Sequence, residues 1–232
     1  MKLKNSASRI RVKAIYNALE ELQDKVVFVG GAIVSFYADR EIFEPRPTDD
    51  VDIIIEILNY RERAELEEKL RAKGFAHDVA SGIVCRYLFK GMTVDIMPTD
   101  DPSVGFNTRW YREGFRASIQ YAIEDHHVIR ILAAPYFIAT KLEAFHDRGG
   151  KDGRTSSDFE DIIFILENRS TIWKEMKATD GHLKAYLVKE FSTLLRNKNL
   201  YEWIDSHVER NETRATRSII EAMTLWIDAE SQ

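Results

Sequence analysis

The sequence predicts an α+β fold, in which a mixed, strongly twisted sheet with flanking helices is followed by a helical portion. Two observations predict this class. Residues 1–133 alternate short apolar runs, typical of strands, with amphipathic segments of helical period, whereas residues 134–232 show helical periodicity alone. We therefore expect two domains, an α+β domain at 1–133 and a helical domain at 134–232.

Composition supports a folded protein. Apolar residues make up 44% of the 232 positions and charged residues 31%, a balance that closes a hydrophobic core and argues against disorder. Cys85 is the single cysteine, which excludes an internal disulfide and fits a reducing cytosol. No apolar run approaches the roughly 20 residues that a membrane helix needs. We expect a cytoplasmic protein without a membrane segment.

The charge balance limits the classes of molecule that the protein can bind. The chain has 33 basic and 38 acidic residues, and its formal net charge is −5. Binding of nucleic acid through bulk positive charge is therefore excluded. A local basic surface stays open, because net charge does not describe the distribution of charge.

The front portion is predicted to begin with alternating helices and strands. Ser6 can cap the first helix, and Gly74 can end the third. Continuous apolar runs bounded by turn residues predict the strands. The expected elements are a helix at 6–23, a strand at 26–29, a helix at 32–38, a loop at 40–48, a strand at 51–57 and a helix at 61–73.

Turn residues then predict a meander of antiparallel strands. Ser81-Gly82 and Lys90-Gly91 each separate two β-rich runs. A second hairpin is expected around Glu124-Asp125. The expected elements are strands at 75–79, 83–89 and 93–97, a loop at 100–107, a short helix at 108–114 and strands at 118–123 and 128–132.

The back portion is predicted to be helical. Pro135 suits the first turn of a helix that reaches Phe145, and Ser157 can cap a helix to about Leu166. Three or four further helices are expected up to residue 229. The Gly-rich, charged segment 146–155 between the first two has two interpretations, a mobile loop that contacts phosphate or a flexible connector.

Two aspartates at the start of an apolar strand are the first candidate for chemistry. Side chains alternate across a strand, so Asp50 and Asp52 share one face and Val51 lies on the other. Neighbouring carboxylates repel each other and stay ionised only beside a compensating cation. By the same alternation Asp49 faces away, as a solvated or supporting residue. The alternative without a function is that the pair lies at a solvated strand edge.

A third aspartate strengthens the case. Asp95 lies between Val94 and Ile96 in another apolar strand, where an unpaired buried carboxylate would be costly. If that strand pairs beside the first, three carboxylates converge. Carboxylate oxygens suit Mg²⁺, and two such ions could activate a hydroxyl nucleophile and stabilise a leaving pyrophosphate.

Gly30-Gly31, between a strand and a helix, is the complementary candidate. Residues without a Cβ atom let the backbone approach a ligand closely, and a helix start offers free N–H groups. A nucleoside triphosphate could lie there. A simple turn is the alternative, because Gly-Gly alone is a weak signal.

Together these motifs carry a resemblance. The pattern resembles the nucleotidyltransferase superfamily that includes DNA polymerase β. It consists of Gly-Gly, then Thr-x-Asp-x-Asp, then a third aspartate that lies in a later strand. The 18 residues between Gly31 and Asp50 exceed the spacing of the shortest members. The chain is more similar to the AbiEii/MenT-like nucleotidyltransferase toxins, which also carry a Lys-x-x-Ala helix and a later Asp-x-x-Asp helix. Here these are Lys141 to Ala144 and Asp158 to Asp161.

The resemblance implies a nucleotidyltransferase fold and a role for each matching residue. Asp50 and Asp52 match the metal-binding pair, and Asp95 matches the third carboxylate, which would help deprotonate the acceptor hydroxyl. The nucleotide side of the site is implied by matches at Gly30, Gly31, Thr48, Lys141 and Asp158, with Lys141 placed toward the phosphates. Ser157 departs from the pattern, since many relatives have arginine directly before this aspartate.

The implied reaction transfers a nucleotide from an NTP, such as ATP, to an acceptor hydroxyl with Mg²⁺. RNA or tRNA would be the acceptor of a toxin in a bacterial toxin–antitoxin pair, with an antitoxin protein as partner. One alternative is transfer to a small molecule of the aminoglycoside type. Another is a catalytically silent interaction protein with the same fold. A basic surface around the carboxylates would favour RNA, and a deep acidic cleft would favour a cationic drug.

Overall fold

The structure of the chain, a computed structural model, describes residues 7–40, 45–57, 59–100, 107–124, 127–208 and 213–230. It divides into two units. The first comprises 1–36 and 43–133, and the second comprises 37–42 and 134–232. The second unit therefore takes in a short stretch of the front portion besides the helical segment expected from the sequence.

The strands of the first unit form one mixed sheet. Its order is β3-β4-β5-β2-β1-β7-β6, with parallel pairing of β2 with β5 and of β1 with β7, and antiparallel pairing elsewhere. The predicted mixed sheet is confirmed. The strands are β1 (Val26–Val29), β2 (Asp50–Ile55), β3 (Ala76–His77), β4 (Arg86–Phe89), β5 (Met92–Pro98), β6 (Ile119–Glu124) and β7 (His127–Ile131).

The first unit also contains three α-helices in its described part, α1 (Ala7–Leu19), α2 (Tyr60–Ala72) and α3 (Tyr111–Arg116). The helix expected at 6–23 continues after α1 as a 3₁₀ helix at Glu20–Lys25, and the one expected at 32–38 is a 3₁₀ helix at Gly31–Tyr37. Ser6, residues 41–44 and 101–106 and Asp125 lie outside the described residues.

The end of α2 follows the glycine signal. Gly74 has a φ of +90°, and the next amide, that of Phe75, donates to the carbonyl of Leu70 at 3.0 Å. These contacts satisfy carbonyls at the helix end in the manner of a Schellman motif. The predicted helix end at Gly74 is confirmed.

The meander is shorter at its outer edge than the sequence predicts. The strand expected at 75–79 has only two residues, because the Asp78 side chain accepts a hydrogen bond from the Ser81 amide and caps a 3₁₀ turn at Val79–Ser81. The strand expected at 83–89 begins at Arg86, whose amide bonds the Ile83 carbonyl in a turn. Local side-chain bonds to the backbone compete here with the sheet.

The described part of the second unit is helical. Its helices are α4 (Ala134–Asp147), α5 (Ser157–Asn168), α6 (Ile172–Lys177), α7 (Gly181–Leu195), α8 (Leu200–Asp205) and α9 (Thr213–Glu230). The N-cap of α5 is Ser156, whose hydroxyl accepts from the Phe159 amide, so the prediction of Ser157 as cap was wrong by one residue. None of the described helices has both the length and the apolar character required to cross a membrane.

The segment 146–155 is anchored at its far end. Gly153, in a 3₁₀ helix at Gly153–Thr155, lies against the rings of Trp203 and Phe159, and its carbonyl is 2.7 Å from His207 Nε2. Trp203 is itself buried, in edge contact with Phe159. The end of this segment is therefore part of the packed helical unit.

We expect Gly153→Ala to destabilise the protein by about 1–3 kcal/mol, the usual cost of overpacking. A Cβ atom would lie 2.6 Å from Trp203 Cε3 and 3.0 Å from Phe159 Cδ1, and both rings are buried. Urea unfolding measures the loss. The control is Thr155→Ala, two residues on at an exposed position, which should unfold at the wild-type midpoint. Equal midpoints for all three proteins would contradict the packing.

Candidate active site

The pairing of β2 with β5 brings the three predicted aspartates together. Asp52 lies directly opposite Asp95 in the parallel register, and Asp50 is on the same face of β2. One carboxylate oxygen from each of the three lies within 4.8 Å of the others. Asp95 is buried, and the other two are partly exposed. The juxtaposition expected from the alternation is present.

Gly30 makes room for one of these carboxylates. A Cβ atom on Gly30 would lie 1.8 Å from Asp52 Oδ2, far closer than van der Waals contact allows. Gly30 also has a φ of +72°, a conformation that side chains disfavour. The absence of a Cβ atom on Gly30 therefore leaves space for Asp52, and the expected contact of Gly30 with a phosphate stays a prediction. Gly31 begins the 3₁₀ helix that follows.

Arg86 is a charged residue at the site that the sequence reasoning missed. It lies on β4 directly opposite Asp95 in the antiparallel register. Its Nε donates to Asp95 Oδ1 at 2.8 Å and its Nη2 to Asp95 Oδ2 at 2.7 Å, a bidentate pair. The hydrogen bonds to Asp95 raise the pKa of Arg86 above its already high usual value. A fixed cation therefore lies at the edge of the carboxylate cluster.

The sequence did contain a signal for this pair. Lys90 and Gly91 both have positive φ, +48° and +80°, as a two-residue hairpin turn requires. Such a turn between β4 and β5 pairs Phe89 with Met92, and counting outward places Arg86 opposite Asp95. The position of Arg86 thus follows from the Lys90-Gly91 turn only when the register of the hairpin is counted out to the aspartate.

Thr48 and Asp49, just before β2, are held by Arg11 of α1. The Arg11 guanidinium donates to the Thr48 carbonyl and lies 3.4 Å from Asp49 Oδ1. The Asp49 side chain is fully exposed, in agreement with its expected orientation away from the cluster. The Thr48 hydroxyl is buried and forms no hydrogen bond with the described residues.

Lys141 and Asp158 belong to the second unit, where they form a buried ion network. Lys141 Nζ is 3.1 Å from Asp158 Oδ1 and 2.7 Å from Asp161 Oδ2, and Arg148 Nη1 is 2.5 Å from Asp158 Oδ2. Lys141 and Asp158 are therefore paired with each other. The role of both residues toward a nucleotide stays a prediction from the resemblance.

Burial and the nearby negative charges both raise the pKa of the Cys85 thiol. Burial raises the pKa of this thiol to about 11, and the charges of Asp95 and Asp52 contribute in the same direction. Cys85 is therefore a protonated, packed thiol at neutral pH.

The carboxylate cluster fits a hard divalent cation. Its three candidate ligands are all oxygen atoms from two adjacent strands, and Mg²⁺ in proteins is held by a few carboxylates while it keeps water and substrate phosphate in its coordination shell. The space that Gly30 leaves for Asp52 preserves the arrangement. Asp50, Asp52 and Asp95 are the residues that would hold the ion.

A mixed sheet that presents such a cluster from two neighbouring strands is the architecture of a nucleotidyltransferase domain. The model of one protein family matches residues 13–218, and that family is described as the nucleotidyl transferase AbiEii toxin of type IV toxin–antitoxin systems. The chain belongs to this AbiEii family. The predicted fold class, family and enzyme class, a nucleotidyltransferase, are confirmed.

Two solved structures are also similar to the chain. One is the antibiotic-resistance factor ANT(2'')-Ia, with 14% identity and a TM-score of 0.48, covering 81% of this chain and 96% of its own. The other is JHP933 from Helicobacter pylori, with 13% identity and a TM-score of 0.48, covering 97% of this chain and 92% of its own. The comparison with curated proteins gives no match.

The contact between Gly30 and Asp52 predicts that two glycine substitutions differ in their effect on stability. Gly30→Ala should lower the free energy of unfolding by more than the about 1–2 kcal/mol that a left-handed alanine costs, because it must also displace Asp52. Gly82→Ala is the matched control, since its φ of +69° is similar and nothing lies near its Cβ position. Urea unfolding in EDTA compares them. Equal losses would show that Asp52 does not need this space.

The ion pair of Arg86 with Asp95 predicts that substitutions of the three aspartates differ in their effect on the stability of the metal-free protein. Asp95→Asn should lower the free energy of unfolding by about 1–3 kcal/mol, because it leaves the Arg86 guanidinium without its carboxylate. Asp50→Asn should leave stability equal or higher, because it removes one of three crowded like charges. Thermal unfolding in EDTA tests both. A greater loss with Asp50→Asn than with Asp95→Asn would contradict this division.

Proposed function

We propose that the protein is a Mg²⁺-dependent transferase that moves a nucleoside monophosphate from an NTP to a hydroxyl group of RNA, with tRNA as the first acceptor to test. The observation that carries the proposal is the cluster of Asp50, Asp52 and Asp95, with ligand oxygens within 4.8 Å of one another. A toxin of this family would be countered by an antitoxin protein, which we propose as the partner of this chain.

The proposed roles follow from the positions of the side chains. Asp50 and Asp52 would hold the ion from β2, and Asp95 would complete its ligands from β5. Bound Mg²⁺ would favour ionisation of the acceptor hydroxyl and neutralise charge on the leaving pyrophosphate. Each Asp95 oxygen has two lone pairs, so the hydrogen bonds from Arg86 leave one on each for an ion or for a hydroxyl proton.

The Thr48 hydroxyl supports a nucleotide ligand. Buried polar groups in proteins usually have a hydrogen-bond partner, and this one has none among the described residues. It precedes Asp50 by two positions, at the place where the family resemblance puts a small hydroxyl residue. We propose that it bonds the NTP.

Basic side chains beside the cluster favour an anionic acceptor. Arg86 contacts Asp95, and Arg11 contacts Thr48 and Asp49. Once bound Mg²⁺ offsets the charges of the carboxylates, these guanidinium groups would attract a phosphate backbone and repel a polycationic aminoglycoside. Transfer to a small cationic molecule is therefore the second candidate.

Incubation with each labelled NTP, Mg²⁺ and purified tRNA, total RNA or aminoglycosides tests the function. We expect label on RNA, and about a 100-fold or greater loss of transfer with Asp52→Asn, because catalysis of this kind depends on charge stabilisation. Asp49→Asn is the matched control, since this neighbouring carboxylate is fully exposed and faces away.

Two outcomes of this assay would change the conclusion. Label on the aminoglycoside alone would favour the second candidate over RNA. Transfer that persists in Asp52→Asn and in EDTA would contradict a metal-dependent reaction at this cluster. If, in addition, Asp52→Asn had a clearly lower melting temperature than wild type in EDTA, Asp52 would be a structural residue.

A further inference from the structure

We propose that Arg86 is the built-in counter-cation of the carboxylate cluster, which stabilises the metal-free protein and lowers the affinity of the cluster for a divalent cation. The proposal rests on the proposed function insofar as that function places a metal ion at this cluster. It assigns to Arg86 a positioning and tuning role, in which it acts on the ion through Asp95.

The first argument is the geometry of the sheet. The registers of β4 with β5 and of β5 with β2 place Arg86, Asp95 and Asp52 side by side in one row across three neighbouring strands. Residues opposite each other in a sheet share a face. Arg86 is therefore on the same face as the aspartates, and it is the member of the row next to Asp95.

The second argument is that the guanidinium engages both oxygens of Asp95. Its two N–H groups donate at 2.8 and 2.7 Å in the parallel arrangement that fits a carboxylate. Both partners are largely buried, with side-chain exposures of 23% for Arg86 and 12% for Asp95. A pair of this kind is held more firmly than an exposed ion pair, which solvent screens.

The third argument is the charge of the cluster. Three carboxylates within 4.8 Å of one another oppose folding in the absence of a cation. Arg86 supplies one permanent positive charge there, because a guanidinium stays protonated in proteins. The same charge repels a divalent ion that binds Asp95, so the stability of the metal-free protein and the affinity for metal are opposed.

The test measures Mn²⁺ binding to the nucleotide-free protein by electron paramagnetic resonance. We expect Arg86→Gln to bind Mn²⁺ at least about tenfold more tightly than wild type, because removing one like charge close to a divalent ion has about this effect even in a water-like dielectric, and a larger one at a partly buried site. Arg86→Lys keeps the charge and should stay within about threefold of wild type. Arg61→Gln removes the same charge from an exposed ion pair on α2 and should not change the affinity.

A second readout follows stability. In EDTA, Arg86→Gln should melt below wild type, and saturating Mn²⁺ should raise its melting temperature by more than it raises that of wild type. A purely structural arginine would lower the melting temperature without tightening Mn²⁺ binding. Tighter binding together with lower metal-free stability therefore distinguishes the proposed role.

Three results would overturn the inference. Unchanged or weaker Mn²⁺ binding by Arg86→Gln would show that Arg86 does not compete with the ion. If Arg86→Gln does not fold, about a tenfold loss of affinity in Arg86→Lys would show that Arg86 orients Asp95 for the metal instead. Absence of Mn²⁺ binding by wild type would overturn the metal site of the proposed function, and this inference with it.

Discussion

The structure of the first unit is organised around the crowding of three carboxylates on one face of a sheet. Asp50, Asp52 and Asp95 are brought within reach of a single ion by the parallel pairing of β2 and β5. Like charges at this separation are tolerated only with compensation and space. Gly30 provides space beside Asp52, and Arg86 provides charge beside Asp95. Gly30 and Arg86 thus reduce the crowding and the charge repulsion that oppose the formation of the cluster.

Much of this arrangement follows from periodicity. The strand at Val26–Val29 has the predicted bounds, because four consecutive buried apolar residues end at a glycine. The alternation around Val51 placed two aspartates on one face, and the apolar neighbours of Asp95 indicated a strand interior. These features depend on local sequence alone, which is why they could be predicted.

The remaining features depend on pairing or on competition between neighbours. No local sequence signal shows that β5 lies beside β2. The position of Arg86 requires that the hairpin register be extended four residues from the turn. Ser156 and Ser157 are both good caps, so one residue could not be chosen over the other by type. The contact of Gly30 with Asp52 could not be predicted, because it exists only in the folded sheet.

The sequence separation of the charged residues has a consequence for the order in which the chain folds. Arg86 and Asp95 are joined by a tight hairpin, whereas Asp52 precedes Asp95 by about 40 residues. Short-range contacts form earlier than long-range ones, since closing a long loop costs more entropy. During synthesis the hairpin should therefore reach β2 with its carboxylate already neutralised. β5 would then meet Asp50 and Asp52 with Asp95 already part of an ion pair, which lowers the electrostatic repulsion that opposes the pairing of β5 with β2.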